Sequence, residues 1–352
     1  MPSETMTPAE RWQAVLERRP TDRVPMDYWT TDEAHERLMR HLGMNDEWEL
    51  YRRLHIDRPY SVVGRYIGPA IPTGHDVFGT RYRDVDYGSG KYAEVASHPL
   101  AKYESVEEIK ANYRWPSPDW WTYDHLPSDI EPHLDYPIRG GGSEPFLTYK
   151  ALRGDETAFM DMLLRPEIVH YCLDQLFDLA YQKTQRIYEA IPDRVMITYT
   201  AEDMGSQEGL LFSPKQIHEF LIPRMKRIID LAHSAGAYAF YHSDGAVRRI
   251  LPDMIKAGID ILNPIQWNCK GMAREGLKAD FGDQVIFHGG VDNQYTLAFG
   301  SVDEVRQEVL DDIRILGQDG GYILAPCHNI QPVSPPENIV TMYDTGYENS
   351  WN

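Results

Sequence analysis

The chain has 352 residues, 42% of them hydrophobic, and a net charge of −19. A chain of this length builds a large core and points to an α/β barrel, a doubly wound sheet or two smaller domains. So acidic a surface repels phosphate backbones and anionic lipid, which argues against nucleic acid and membrane surfaces as partners.

The opening Met1-Pro2-Ser3-Glu4-Thr5 has no basic stretch leading into an apolar run. No segment reaches the roughly 20 apolar residues that cross a bilayer. The three cysteines, Cys172, Cys269 and Cys327, are too few and too scattered for a disulfide framework. A cytoplasmic location is the expectation.

Thr7-Pro8-Ala9-Glu10 fits a capping box that opens the first helix, with Trp12, Val15 and Leu16 as its apolar stripe. Short runs rich in Val, Ile and Tyr then alternate with amphipathic segments, the rhythm of repeated βα units. Eight strands are predicted, over 22–29, 60–66, 136–142, 195–200, 238–243, 260–264, 285–290 and 322–326. The segment 213–234 reads as a helix with Ser213 as its cap and Pro214 at its first position, and Gly236 ends it. No Gly-rich phosphate turn follows the first strand, so a closed (β/α)8 barrel is favoured over an open doubly wound sheet. The whole chain, 1–352, is read as one domain. The stretch 68–121 breaks the rhythm and is read as an excursion, a hairpin and a polar helix covering the mouth.

Catalytic groups of such barrels sit at the carboxyl ends of the strands. Collected there are Glu202 and Asp203, His242 and Asp244, Asn263 and Gln266, His288, Asp292 and Gln294, and Cys327 and His328. Each has an ordinary structural role open to it. A lone histidine can bond a loop, Asp244 can cap a helix, Asp292 can serve a turn and Cys327 can be a core thiol. Their convergence on one mouth favours chemistry. His242 and His328, with Asp244 or Cys327 and with Glu202 as a further donor, are the ligand types zinc uses. The spacing is not diagnostic of a metal. Without one, the same groups serve as general acid and base.

The runs Glu202-Asp203-Met204-Gly205, His242-Ser243-Asp244-Gly245, Asn263-Pro264-Ile265-Gln266, Phe287-His288-Gly289-Gly290 and Pro326-Cys327-His328-Asn329 resemble the uroporphyrinogen decarboxylase superfamily. Arg11, Asp22-Arg23-Val24-Pro25 and Leu152-Arg153-Gly154 fit it as well. The resemblance implies a (β/α)8 barrel independently of the strand count. The arginine-bearing R-Q-A-G-R-Y signature of genuine decarboxylases is replaced by Met26-Asp27-Tyr28-Trp29-Thr30-Thr31. An octa-acid substrate needs fixed guanidinium partners, so this departure argues against that exact reaction.

The other branch implied is that of the cobalamin-dependent methyltransferases. Their zinc motif H-x-C stands here as His242-x-Asp244, a harder donor set that suits an ether oxygen better than a thiol. The resemblance therefore implies a methyltransferase that demethylates a small methoxylated or methylated substrate. Cobalamin would be carried by a partner corrinoid protein, since D-x-H-x-x-G is absent. In this scheme His242, Asp244 and His328 hold zinc, with Cys327 beside them. Glu202 or Asp203 is a fourth ligand or proton shuttle, and His288 is a further catalytic candidate. Tyr149, on the loop after the third strand, lines the substrate pocket with Asn263, Gln266, Asp292 and Gln294. Relatives of this kind are often homodimers. The rival readings are a cofactor-free decarboxylase, with Arg65, Arg139 and Arg153 lining a basic pocket, and a non-catalytic binding barrel.

Overall fold

The computed structural model describes residues 3–86, 88 and 90–351. Tyr87, the last residue of the alternating stretch expected over 80–87, lies outside the described residues, as do Met1 and Pro2.

Seven parallel strands form one curled sheet in chain order: β1 (Tyr60–Val62), β2 (Ile138–Ser143), β3 (Ile197–Ala201), β4 (Tyr238–His242), β5 (Ile261–Asn263), β6 (Ile286–His288) and β7 (Tyr322–Ile323). β5, β6 and β7 are buried at every residue and β3 and β4 at all but one, as parallel strands covered by helices are, while β1 exposes Ser61. Outward-facing Tyr241, Leu262 and Phe287 join the large core beneath the helices. Inward-facing Ile197, Phe240, Ile261, Ile286 and Ile323 form a second core with Trp12, Val15 and Leu16 of the helix α1 (Pro8–Leu16). The first helix, with its capping box as expected, thus plugs the amino-terminal end of the sheet.

The expected first strand is the main difference. Segment 22–29 forms isolated parallel bridges, Met26 to Leu324 and, just beyond it, Thr30 to Ile330, instead of a ladder. The reason lies on its other side. Asp57 N–H donates to the Met26 carbonyl (2.7 Å), while the Met26 N–H donates to the Asp57 carboxylate (2.9 Å) rather than to a backbone carbonyl. That buried carboxylate also receives Arg11 (2.5 Å) and Arg23 (2.8 Å). A side-chain knot therefore stands where the next ladder would begin.

The excursion contains the expected antiparallel hairpin, Arg81–Asp86 with Lys91–Ser97, and the helix Val106–Asn112. The helix expected over 213–234 begins at Ser213 but is interrupted by a wider turn at Ile217–Leu221. Tyr149, expected on a loop, lies in the helix α2 (Pro145–Arg153), which Pro145 opens. Among the described residues, no helix is long and apolar enough to cross a membrane.

A candidate metal centre and the cavity beside it

Period-two alternation and register build the site. His242, Asn263 and His288 are the last residues of β4, β5 and β6. His242 lies level with Asn263 across the β4–β5 ladder, and the β5–β6 register, Ile261 with Ile286, carries the same level to His288. All three point inward and are buried. Side by side, they hydrogen-bond in a row. His242 Nδ1 meets Asn263 Oδ1 at 2.5 Å, and Asn263 Nδ2 meets His288 Nδ1 at 2.8 Å. His288 Nε2 then meets Asp27 Oδ2 at 2.9 Å.

Asp27 gives the row its direction. Burial alone would raise its carboxyl, but the hydrogen bond from His288, with the charge of Arg58 and the bond from Trp29, holds it below its ordinary value. As a carboxylate it accepts from Tyr28 N, Trp29 Nε1 and His288 Nε2. With neutral rings, His288 Nδ1 then accepts from the Asn263 amide, and Asn263 Oδ1 accepts from His242 Nδ1. The proton of His242 is thereby kept on Nδ1. Its Nε2 lone pair is left facing the mouth.

There, ligand atoms of His242, Asp244 and His328 all lie within 4.8 Å of one another. Asp244 Oδ2 is 3.8 Å from His328 Nε2, while its Oδ1 is buried with no hydrogen-bond partner among the described residues. His242 Nε2 is 4.0 Å from Asp203 Oδ1. Two imidazoles and a carboxylate suit zinc, whose bonds of roughly 2.1 Å require donors roughly 3.4 Å apart. The three residues need to close only slightly to fit such an ion, and an orphaned buried carboxylate oxygen is what a cation would satisfy.

Two glycines hold the acids in place. A Cβ at Gly205 would stand 2.5 Å from the Asp244 carbonyl oxygen, and one at Gly245, where φ is +85°, would stand 2.6 Å from the Gly205 carbonyl carbon. The two turns therefore touch backbone to backbone. Asp244 N–H donates to Asp203 Oδ1 (3.0 Å), and Gly245 N–H donates to Gln266 Oε1 (2.6 Å). The carboxyls crowd one another. Burial pushes Asp244 and Glu144 up and Glu202 well up, with neighbouring acids adding to each and His242 opposing the rise at Asp244 and Glu144. Glu202 accepts from Phe146 N–H (2.9 Å) in the first turn of α2.

Other expected residues stand apart from this cluster. Tyr149 is fully buried, its hydroxyl donating to Asp161 (3.0 Å). Cys327 donates its thiol to the Ile265 carbonyl (3.3 Å), burial pushes that thiol well up, and it lies outside the ligand group. Asp292 serves a turn, accepting from Gln294 N–H (2.8 Å) and Asn268 Nδ2 (3.0 Å), and Gln294 is exposed. Asn263 and His288 lie beneath the ligands rather than at the surface of the cavity. Arg153 is tied to Asp161 and to backbone carbonyls, and only Arg139 of the three expected arginines lines the cavity.

A cavity of about 740 Å³ opens beside the cluster. Trp29 and Tyr199 on its wall lie against the His242 ring, with centroids 5.6 and 5.8 Å away. Glu144, Asn329, Arg58, Arg139, Phe78 and Lys183 also line it. The strand-end collection began at the fourth predicted strand and so passed over Asp27, Trp29 and Glu144. The acid and tryptophan closing 22–29 were the available signal.

Imidazole and carboxylate donors at the carboxyl ends of parallel strands, beside a large cavity, define an α/β protein with a strand-end site of the enzyme kind. The chain belongs to the uroporphyrinogen decarboxylase family, whose model, "Uroporphyrinogen decarboxylase (URO-D)", matches residues 83–348. Uroporphyrinogen decarboxylases from Nostoc punctiforme and Synechocystis sp. are similar at 27% and 28% identity over 223 and 221 residues, 60% of this chain in each case. The chain spans 54% of the length of either relative. A methyltransferase from Methanosarcina mazei superposes with a TM-score of 0.69 at 20% identity, over 97% of this chain and 99% of that one, and so shares the fold.

Proposed function

We propose that the protein is a methyltransferase that removes a methyl group from a small methoxylated or methylated substrate and passes it to a corrinoid carried by a separate protein. We read the fold as a single-domain (β/α)8 barrel in which 22–29 closes the sheet. A reducing, cytoplasmic setting fits its three free thiols.

The observation that carries this reading is the trio His242, Asp244 and His328, with one carboxylate oxygen unpartnered and the His242 lone pair held toward the mouth. Genuine decarboxylation needs no such donor set. The fold shared with the Methanosarcina protein supports the same branch.

Zinc, if held by these three residues, would supply Lewis acidity toward the substrate oxygen. The chain's own residues do the rest. Trp29 and Tyr199 flank the substrate and fix its approach, which is most of the catalysis in an in-line methyl transfer. The methyl leaves without its bonding electrons, which stay on the substrate oxygen, while the acceptor contributes the pair for the new bond. Glu144, whose carboxyl burial keeps protonated to higher pH, faces the cavity and is placed to give that oxygen its proton. Glu202 anchors α2 by accepting from Phe146 N–H, and Asp203 brings a second acid beside His242.

The test supplies reduced corrinoid and a panel of methoxylated and N-methylated compounds and follows the demethylated product. Product formed only with corrinoid present is expected, and H242A should abolish it. Release of carbon dioxide from a tetrapyrrole acid by protein that transfers no methyl would overturn the reading. That outcome would restore the cofactor-free decarboxylase, which the basic residues of the cavity favour.

A further inference from the structure

The cavity carries charge of the wrong sign for a protein with a net charge of −19. Arg58, Arg139 and Lys183 all line it, and none makes an ion pair with a carboxylate among the described residues. Arg139 donates its Nε to Ser61 Oγ at 3.0 Å, and among the described residues its two terminal nitrogens have no hydrogen-bond partner. Lys183 places its ammonium 4.0 Å from the centre of the Trp121 ring. Arg58 donates to Tyr51 Oη at 2.8 Å.

Such burial is costly. It lowers the pKa of both Arg139 and Lys183, because the charged forms lose water; the charge of Asp27 opposes the fall at Arg139 without cancelling it. Half-buried cations without an ion pair in one chamber suit a ligand that brings the opposite charge. The cavity's own acids supply only part of it. Asp27 already accepts three hydrogen bonds, and burial shifts Glu144 toward its neutral form.

Trp29, Phe78, Trp121 and Tyr199 give the remaining wall a large aromatic share, beside hydroxyls such as those of Ser143 and Thr148. Tyr199 also links the two ends. Its ring lies 5.8 Å from the Arg139 guanidinium carbon and 5.8 Å from the His242 ring. Tyr199 thus borders both the guanidinium and the His242 ring.

We propose that this cavity takes an aromatic carboxylate, with the carboxylate on Arg139, Lys183 adding charge to the same chamber, and the methylated end directed to His242. The carboxylate matches the planar guanidinium fork, and the ring matches the aromatic walls. Only the direction of the methylated end rests on the methyl-transfer reading; recognition of the carboxylate stands without it.

The experiment titrates the whole chain with 4-methoxybenzoate, benzoate, uncharged 4-methoxybenzyl alcohol and inorganic phosphate, following tryptophan fluorescence from Trp29 and Trp121. Both benzoates are expected to bind saturably and the alcohol at least about tenfold more weakly, a difference of about 1.4 kcal/mol. R139Q should weaken benzoate about tenfold or more, K183M less, and R139K to an intermediate degree, since it keeps the charge but loses the fork. Circular dichroism checks that each variant folds. Equal binding of acid and alcohol overturns the proposal, as does R139Q or R139K with wild-type affinity. Phosphate that binds more tightly than benzoate overturns the carboxylate assignment. Benzoate binding without any methyl transfer sinks the methyltransferase reading alone. Methyl transfer with an unchanged KM in R139Q sinks this inference alone.

Discussion

His242 Nδ1 lies 2.5 Å from the side-chain oxygen of Asn263, and this one contact decides which nitrogen of His242 is free to bind a ligand. Behind it the row runs through His288 to Asp27. Partners of this kind orient a metal-binding imidazole and set its tautomer, and losing one typically lowers metal affinity about 10- to 100-fold.

N263A should therefore bind zinc about 10- to 100-fold more weakly while keeping all three ligands. Competition against a chromophoric chelator measures this, with circular dichroism as the check on folding. Unchanged zinc affinity would remove any orienting role for Asn263.

The ligand set itself is testable by metal content. Wild-type protein purified without chelator should carry about one zinc by plasma emission, while H242A, D244N and H328A should be nearly empty, because two remaining donors hold zinc poorly. C327A should stay loaded, since its thiol is spent on the Ile265 carbonyl. A loaded D244N beside an empty C327A would return the thiol to the centre.

G245A should destabilise the chain by about 2 kcal/mol or more, because its φ of +85° and the touching Gly205 turn leave no room for a methyl group. The expected readout is a Tm lower by a few degrees, together with lost metal as Asp203 and Asp244 separate. A Tm equal to wild type would show that the turns part freely.

Glu202 predicts a pH dependence. Its carboxyl is raised in the folded chain above the ordinary value of 4.5, with burial the largest cause. The folded state thus holds this proton where the unfolded state has lost it, so this group's contribution to stability falls as pH rises above 4.5 toward the raised value. E202Q keeps an oxygen to accept from Phe146 N–H but cannot ionise. It should melt near wild type at pH 4 and higher than wild type at pH 8. Parallel melting curves at the two pH values would rule out the buried acid as the source.

Much of the site was legible because chemistry-bearing residues cluster where short apolar runs end. His242-x-Asp244 and His328 could be found that way, and the structure brings these three together. Depth was harder to read. Asn263 and His288 close their strands just as His242 does, yet the ladder places them level with it, where their side chains bond His242, one another and Asp27. Tyr149 was misplaced because Pro145 starts a helix immediately after β2 and turns the tyrosine into the core. Lys183 and Arg58 carried no signal, because an isolated cation in a helix or loop reads as solvated surface until its neighbours are known.

Period-two alternation and the capping of its helices are local properties of the chain. For that reason the residues alone determined the parallel α/β layout and the inward face of β3 to β7. Pairing between distant segments depends on which groups fill the space between them. Only the tertiary structure decided that Asp57 would take the Met26 N–H in place of a strand, that Asp27 would orient His242 through two intermediaries, and that three cations would share one chamber. Desolvation and hydrogen-bond direction act through space, and neither is written in the order of the residues.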